Sequence, residues 1–199
     1  EPARVRARHA HGYVAVQFCA GHGDDAILRL VADQLARLAA DAGLGLVLFR
    51  AGAAPWHDDL EVYRRLCALS PKLDTTLFES LHLWDICALL ANAAAYCGES
   101  LHGRIVAEAF GVPAVSLVDD DAFGPPGKTV AYARTWAPPG MARLARFGEL
   151  AGVVSMALRV PRTEAMRSMQ KRQALFLKGS DAWRGRLGLA PYSAAHSIA

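Results

Sequence analysis

The residues best suited to chemistry lie in one stretch, Gly98 to Pro113, which reads Gly-Glu-Ser-Leu-His-Gly-Arg-Ile-Val-Ala-Glu-Ala-Phe-Gly-Val-Pro. Ser100 is a typical helix N-cap and the closing Gly-Val-Pro is a typical helix stop, so the pattern predicts a helix from Leu101 to Phe110. His102 then lies at a helix N-terminus, where unpaired N–H groups and the helix dipole favour anions. A bound dianion would favour the imidazolium form, which suits an anion clamp or a general acid. The alternative is a histidine hydrogen-bonded to a neighbouring loop.

Three more side chains could contact the same ligand, and each also has a simpler explanation. Arg104 could bind phosphate or carboxylate through two hydrogen bonds, or reach solvent. Glu108 could hydrogen-bond a sugar hydroxyl, or pair with Arg104 four residues before it. Lys128 follows a loop rich in Gly and Pro and could close over a charged ligand, or could be only solvated.

The elements that must position these residues alternate along the chain. Short apolar runs typical of strands are separated by runs with apolar residues at helical spacing. The predicted strands are Tyr13 to Phe18, Leu46 to Phe49, Thr75 to Phe78, Ala94 to Cys97 and Ala114 to Val118, and the helices between them are Asp25 to Ala42, His57 to Leu69, Leu83 to Ala93 and Leu101 to Phe110. Further helices are predicted at Lys128 to Arg134, Glu149 to Leu158 and Glu164 to Leu177. This alternation predicts an α/β fold with a Rossmann-like parallel sheet and helices on both faces.

Four histidines follow predicted strands, namely His22, His57, His82 and His102. Ligands of doubly wound sheets bind at the carboxyl ends of the strands, where the strand order reverses. With the order 3-2-1-4-5 that crevice lies between the first and fourth strands. This geometry selects His22 and His102 as the ligand-facing histidines.

The segment Gly21 to Ala26 formally fits the dinucleotide fingerprint G-x-G-x-x-A, but we discount that interpretation. Asp24 and Asp25 would repel a pyrophosphate, and the second strand ends in Phe49-Arg50 rather than in an acidic residue. The glycines then form a turn and an Asp caps the helix, or else His22 or an Asp faces a ligand.

A metal site could be assembled from His22, His57 and His102 with the pairs Asp24-Asp25 or Asp58-Asp59. No His-x-x-x-His motif supports such a site, so we expect no metal.

Composition excludes several classes of protein. A chain of 199 residues, 53% of them hydrophobic, can form one sizeable core, and a net charge of +3 with scattered arginines does not indicate a nucleic-acid-binding surface. The four cysteines form no closely spaced pair, which indicates reduced thiols and a cytoplasmic protein. No apolar run is long enough to predict a transmembrane segment. Peripheral attachment at the inner membrane is left open.

Two segments resemble the C-terminal region of the polysaccharide pyruvyl transferase family: Trp84 to Ala93 and Gly98 to Pro113. They match its helix, strand, (Arg or Ser)-Leu-His-Gly turn, helix and Gly-x-Pro. Looser agreement at Pro55 to Asp59, and at Lys128 with Tyr132, extends the resemblance over Tyr13 to Leu177.

This resemblance implies the fold of the C-terminal half of a GT-B glycosyltransferase. It also implies transfer of a pyruvyl group, as a ketal, from phosphoenolpyruvate to a sugar of an exopolysaccharide or its precursor. Phosphoenolpyruvate is then the donor substrate, and no further cofactor is expected. The His of the family's Leu-His pair acts on phosphoenolpyruvate, which makes His102 the catalytic residue. Many members have Arg where this chain has Ser100, so anion binding is left to Ser100, Arg104, Lys128 or backbone donors such as Gly103.

GT-B enzymes work in a cleft between two Rossmann-like domains, and this length supplies one. We therefore expect a flexible arm over residues 1–12, a Rossmann-like domain over 13–178 and a tail over 179–199. The acceptor-binding N-terminal domain would be missing, and this domain alone would be inactive. The alternatives are a GT-B glycosyltransferase that uses a nucleotide sugar, with Glu108 on the ribose, and a non-catalytic ligand-binding or assembly module.

Overall fold

The computed structural model describes residues 1–54, 57–118, 127–137 and 142–191. The strands are β1 (Tyr13–Gln17), β2 (Gly45–Phe49), β3 (Thr75–Phe78), β4 (Ala95–Gly98), β5 (Ala114–Leu117) and β6 (Arg143–Ala145). The helices are α1 (Pro2–Arg8), α2 (Asp25–Ala42), α3 (Leu60–Leu69), α4 (Leu83–Ala91), α5 (Leu101–Ala109), α6 (Lys128–Trp136), α7 (Leu150–Leu158) and α8 (Arg162–Arg186). Short 3-10 turns follow β1 at Ala20–His22 and precede α7 at Phe147–Glu149.

All six strands are parallel and lie in the order β3-β2-β1-β4-β5-β6. The predicted Rossmann-like α/β sheet is therefore confirmed, as is the predicted order of its first five strands. The chain leaves β1 toward β2 on one side and returns to β4 on the other, so the order reverses between β1 and β4. Gln17 pairs with Gly98 at the end of that pair, which places the loops after both strands side by side.

Alternating residues of each strand fill two separate cores, because successive strand side chains point to opposite faces of the sheet. In β1, Val14 and Val16 pack with α2, α3 and α7, whereas Tyr13 and Ala15 pack with α1, α4 and α5. Both faces are thus covered by helices, which explains why the strands are almost continuously apolar.

The start of α2 supports the structural explanation of the Gly21 to Ala26 segment. The Asp24 carboxylate accepts hydrogen bonds from the N–H groups of Ala26, at 2.8 Å, and Ile27, at 3.4 Å. Asp24 is therefore the N-cap of this helix. At its other end, Gly43 adopts a φ of 64°, the left-handed conformation that favours glycine at a helix C-terminus.

The N-terminal residues correct our expectation of a flexible arm over residues 1–12. Pro2–Arg8 forms α1, and Val5 is only 2% exposed in the core shared with α4. The Glu1 carboxylate accepts hydrogen bonds from the N–H groups of Glu79 and Ser80, both at 2.8 Å. The arginines suggested a solvated arm, but buried side chains such as Val5 and His9, together with the Glu1 carboxylate, attach this segment to the domain.

Two features near the C-terminus also differ from the prediction. Strand β6 was not predicted, because three residues carry too short a pattern. Helix α8 continues to Arg186, so it includes the first part of the predicted tail over 179–199. Within the described residues, no helix is both long and apolar enough to cross a bilayer.

Candidate functional site

The loops after β1 and β4 bring a thiol, an imidazole and a carboxylate together. The turn after β1 carries Cys19 and His22, and Glu99 directly follows β4. The Nδ1 atom of His22 lies 3.3 Å from Cys19 Sγ and 3.2 Å from Glu99 Oε2. We call these three residues the switch-point cluster, since they lie where the strand order reverses.

The switch-point cluster is mostly buried, but two of its side chains keep some exposure to solvent. The side chains of His22 and Glu99 are 13% and 16% exposed. The Phe147 ring covers one side of the imidazole, with the ring centroids 4.7 Å apart. An aromatic wall and partial burial lower the local dielectric, so charges in the cluster interact more strongly than they would at the surface.

The contacts within the cluster stabilise opposite charges. Hydrogen bonds to Cys19 and Glu99 raise the pKa of His22 to about 11, against burial, which acts to lower it. Burial acts to raise the pKa of Glu99, but hydrogen bonds from His22 and from the Cys19 N–H hold it below its usual value. At neutral pH the pair is therefore an imidazolium and a carboxylate.

Polar groups from three elements fix the backbone beneath the cluster. The side-chain oxygen of Gln17, which is fully buried, accepts hydrogen bonds from the N–H groups of Glu99, at 3.1 Å, and Ser100, at 2.8 Å. The Thr129 hydroxyl donates to the carbonyl oxygen of Glu99 at 3.2 Å. The β4 turn is thereby joined to the end of β1 and to the start of α6.

His102 extends from the first turn of α5, immediately beyond this supported backbone. Ser100 is the N-cap, as predicted, and its hydroxyl accepts a hydrogen bond from the Gly103 N–H at 3.2 Å. His102 is exposed. Within the described part of the chain, no hydrogen-bond partner is found for the N–H groups of Leu101 and His102. These two donors and the imidazole face outward at the carboxyl end of the sheet.

A tyrosine from β4 sets the depth of α5. The Tyr96 hydroxyl donates to the carbonyl oxygen of Ser100 at 3.0 Å, and the ring packs beneath Gly98 and Gly103. A Cβ at position 103 would lie 2.8 Å from the Tyr96 oxygen, closer than packed atoms tolerate. Gly103 thus has a packing role, and its predicted contact with a ligand through the backbone stays a prediction.

Arg104 and Glu108 lie in an internal ion-pair network. The Arg104 side chain is fully buried, and its Nε donates to Glu108 at 2.9 Å while Nη1 donates to Ser116 at 2.8 Å. Glu108 also accepts hydrogen bonds from Tyr132 and Arg172. The pairing of Arg104 with Glu108 is the simpler of the two alternatives that the sequence offered. A ligand of Arg104 would have to enter the interior, where the buried Nη2 atom has no hydrogen-bond partner among the described residues.

The remaining predicted residues are more exposed. Lys128 is the first residue of α6, next to the Thr129 that bonds to Glu99, so it lies close to the β4 turn. His57 is half exposed and contacts Asp58 at 3.2 Å. His82 precedes α4 on the surface. Of the four strand-end histidines, His22 and His102 are the two that border the β1–β4 crevice, as the predicted strand order requires.

Sequence reasoning missed Cys19, Glu99, Gln17 and Phe147. Cys19 was interpreted as one of four reduced thiols; all four cysteines are indeed free. The available signal for Cys19 and Glu99 was positional, since each follows a strand that borders the reversal. Phe147 comes from a turn far along the chain and offered no such signal.

The fold and the position of this crevice define a Rossmann-like domain of the GT-B kind. UDP-GlcNAc 2-epimerase from Methanocaldococcus jannaschii matches with a TM-score of 0.56 and 13% identity, over 83% of this chain and 45% of that one. Trehalose 6-phosphate synthase from Burkholderia multivorans matches with a TM-score of 0.54 and 13% identity, over 87% and 41%. The glycosyltransferase VinC matches with a TM-score of 0.52 and 15% identity, over 82% and 38%. The chain therefore spans less than half the length of these structures, and the likeness shows the fold alone.

Comparison of the sequence with protein families shows the family to which this chain belongs. The profile of the polysaccharide pyruvyl transferase family matches residues 4–121, more than half of the chain, so the chain belongs to that family. No curated protein matches the sequence.

Proposed function

We propose that this chain is the donor-binding domain of a transferase that moves a pyruvyl group from phosphoenolpyruvate to two hydroxyls of a sugar. The observation that carries the proposal is the exposed His102 at the start of α5, at the crevice between β1 and β4, beside two N–H groups that have no hydrogen-bond partner among the described residues. Membership of the pyruvyl transferase family supports the reaction type.

The proposed chemistry requires an acid and an anion-binding site. Protonated His102 gives its proton to the methylene carbon of phosphoenolpyruvate, and the neighbouring carbon becomes electrophilic. One sugar hydroxyl adds to that carbon and gives its proton to the now neutral imidazole. The second hydroxyl then displaces inorganic phosphate, which takes up its proton, and the ketal closes. General acid catalysis of this kind contributes typically about 10²–10⁴-fold.

The anionic groups of the donor would be held by the start of α5 and by Lys128. The N–H groups of Leu101 and His102 have the direction that phosphate prefers at a helix N-terminus. Lys128 is exposed and next to the residue that joins α6 to the β4 turn. We favour Lys128 over Arg104 as the cation, because Arg104 is fully buried in its own network.

The saccharide acceptor would be bound largely by a second domain of the complete enzyme, and this domain alone would then be inactive. A cytoplasmic location, with or without peripheral contact at the inner membrane, belongs to the same proposal. A nucleotide-sugar glycosyltransferase is the second candidate, favoured by the fold shared with VinC. Its expected ribose ligand, Glu108, already has three hydrogen-bonding partners.

The test compares the two histidines that end the same tetrapeptide, Glu-Ser-Leu-His, one after β3 and one after β4. In the complete gene product, His102→Ala should lower phosphoenolpyruvate-dependent ketal formation by about 10²–10⁴-fold. His82→Ala, also exposed but outside the crevice, should change it less than about twofold. The assay measures the pyruvyl ketal by NMR and the released phosphate in parallel.

Activity that survives in His102→Ala would exclude the proposed acid. Turnover of a nucleotide sugar without use of phosphoenolpyruvate would support the second candidate, and saturable binding of neither donor would support a non-catalytic module. Circular dichroism of both variants checks that the fold is retained.

A further inference from the structure

We propose that Cys19, His22 and Glu99 form a binding site for a single Zn²⁺-like transition-metal ion. This inference does not rest on pyruvyl transfer, because it follows from the donor atoms themselves. One donor each of Cys Sγ, His Nδ1 and Glu Oε2 lies within 4.8 Å of the others. Thiolate, imidazole and carboxylate together are the ligands that Zn²⁺ uses in proteins. This ligand set was not predicted, since its members follow two strands that are far apart in the chain.

The spacing of the donor atoms fits a tetrahedral ion. With metal–ligand bonds of about 2.0–2.3 Å, neighbouring ligands of a tetrahedral Zn²⁺ are about 3.3–3.6 Å apart. The His22 Nδ1 atom is 3.3 Å from the sulfur and 3.2 Å from the carboxylate oxygen. Small rotations of these side chains, with release of the proton from His22 Nδ1, would therefore suffice to coordinate an ion.

The backbone around the ligands is already fixed. Cys19 and His22 lie on one tight turn, closed by a 3.1 Å hydrogen bond from the His22 N–H to the Cys19 carbonyl oxygen. Glu99 is attached through its backbone to Gln17 and Thr129, and its Oε2 atom accepts the Cys19 N–H at 2.5 Å. Supporting hydrogen bonds of this kind orient ligands and strengthen metal binding.

Among the residues that the structure describes the cluster supplies three ligands, which leaves a fourth coordination position that an exogenous oxygen could take. His22 and Glu99 are partly exposed, so that position can face the crevice, while Phe147 covers one side of the imidazole. Zinc sites with three protein ligands characteristically keep an open position for water or substrate. The class of ligand to expect there is a water molecule or an anionic oxygen, such as that of a carboxylate or phosphate.

The test uses the chain described here, purified with a non-thiol reductant and stripped with a chelator. Calorimetric titration with Zn²⁺ alone should show one ion per chain. Titration with Co²⁺ should give the intense visible bands of a tetrahedral site and a near-ultraviolet thiolate-to-cobalt band. Cys19→Ser should remove the thiolate band, and Cys19→Ser, His22→Gln and Glu99→Gln should each weaken affinity by at least about 100-fold.

Matched controls separate this site from the other cysteines and histidines. Cys67→Ser, on α3, and His57→Gln should bind both ions as the wild type does. Absence of stoichiometric binding by the wild type would overturn the proposal, as would a thiolate band that persists in Cys19→Ser or is lost in Cys67→Ser. If Cys19→Ser fails to fold, the stoichiometry and the cobalt spectrum of wild type and His22→Gln decide the question.

Discussion

Two histidines lie at opposite ends of the parallel strands, and their contacts differ. We call the two ends the amino edge and the carboxyl edge of the sheet. At the amino edge, His9 is 7% exposed, covers Gly45 and contacts the Thr76 hydroxyl at 2.8 Å. At the carboxyl edge, His22 meets Cys19 and Glu99. Burial lowers the pKa of His9, whereas hydrogen bonds raise that of His22 to about 11.

The two surroundings favour different roles for the two histidines, packing for His9 and ligand binding for His22. At the amino edge the imidazole fills space and is favoured in its neutral form. At the carboxyl edge the parallel strands bring polar loop residues together around a crevice, and charge is stabilised there. The same side chain thus has a structural role at one edge and a candidate functional role at the other.

The largest loss of stability should come from removing Arg104, the buried cation of α5, the helix that begins at the carboxyl ends of the strands. Arg104→Met would leave the Ser116 hydroxyl without its donor, while Glu108 would keep Tyr132 and Arg172 as partners. Because Arg172 still compensates the Glu108 charge, we expect a loss of about 3 kcal/mol, the lower end of the cost of breaking a buried ion pair. Urea unfolding should show a loss of that size. The control is Arg29→Met, an arginine 64% exposed whose pair with Asp25 is 3.7 Å long, which should change stability by less than about 0.5 kcal/mol. Equal losses in the two variants would mean that the Arg104 network adds no more stability than an exposed ion pair.

A smaller loss is expected at the amino edge from Gly45→Ala. The added methyl group would overlap the imidazole ring of His9, and overpacking costs about 1–3 kcal/mol. Gly152→Ala, in α7 with open space around it, should instead stabilise the protein by about 0.5–1 kcal/mol. Adding His9→Ala to Gly45→Ala should recover part of the loss. Additive costs would show that His9 does not pack on Gly45.

The smallest expected change is in how the free energy of unfolding depends on pH, through the titration of His9. Since the pKa of His9 is lower in the folded than in the unfolded protein, its contribution to stability is complete above about pH 6.5. That contribution should be lost as the pH falls through the lower, folded pKa. Asp74, which acts to raise this pKa, and Arg8, which acts to lower it, face the ring.

The measurement is urea unfolding of wild type and His9→Gln between pH 7.5 and 5. The wild type should lose its advantage over the variant as the pH falls. A difference independent of pH would show that His9 does not titrate on unfolding.

Local patterns were enough to predict most of the sheet and its helices. Strand β3 and helix α2 have the predicted bounds, and Ser100 caps α5 as its sequence suggested. Strand β6 could not be predicted, because its three residues are recognised only by pairing with β5. Helix α1 was missed because its attachment depends on contacts with residues more than seventy positions away.

The candidate site was predictable only where topology brought the loops together. The assumed strand order placed His22 and His102 at the crevice, but nothing in the sequence paired His22 with Glu99, 77 positions later. Arg104 shows the opposite error, since its position suggested contact with a ligand but its side chain is buried. Its partners Ser116 and Glu108 show that a cation next to a Leu-His turn can be an interior residue.

The tyrosine beneath α5 has a consequence for protein engineering. Its hydroxyl and ring set how far the first helical turn stands above the sheet, through Ser100 on one side and Gly103 on the other. The reach of His102 toward a ligand is therefore governed by the volume of a core residue. A library at position 96, combined with small residues at 103, would tune that reach without altering any group that faces solvent.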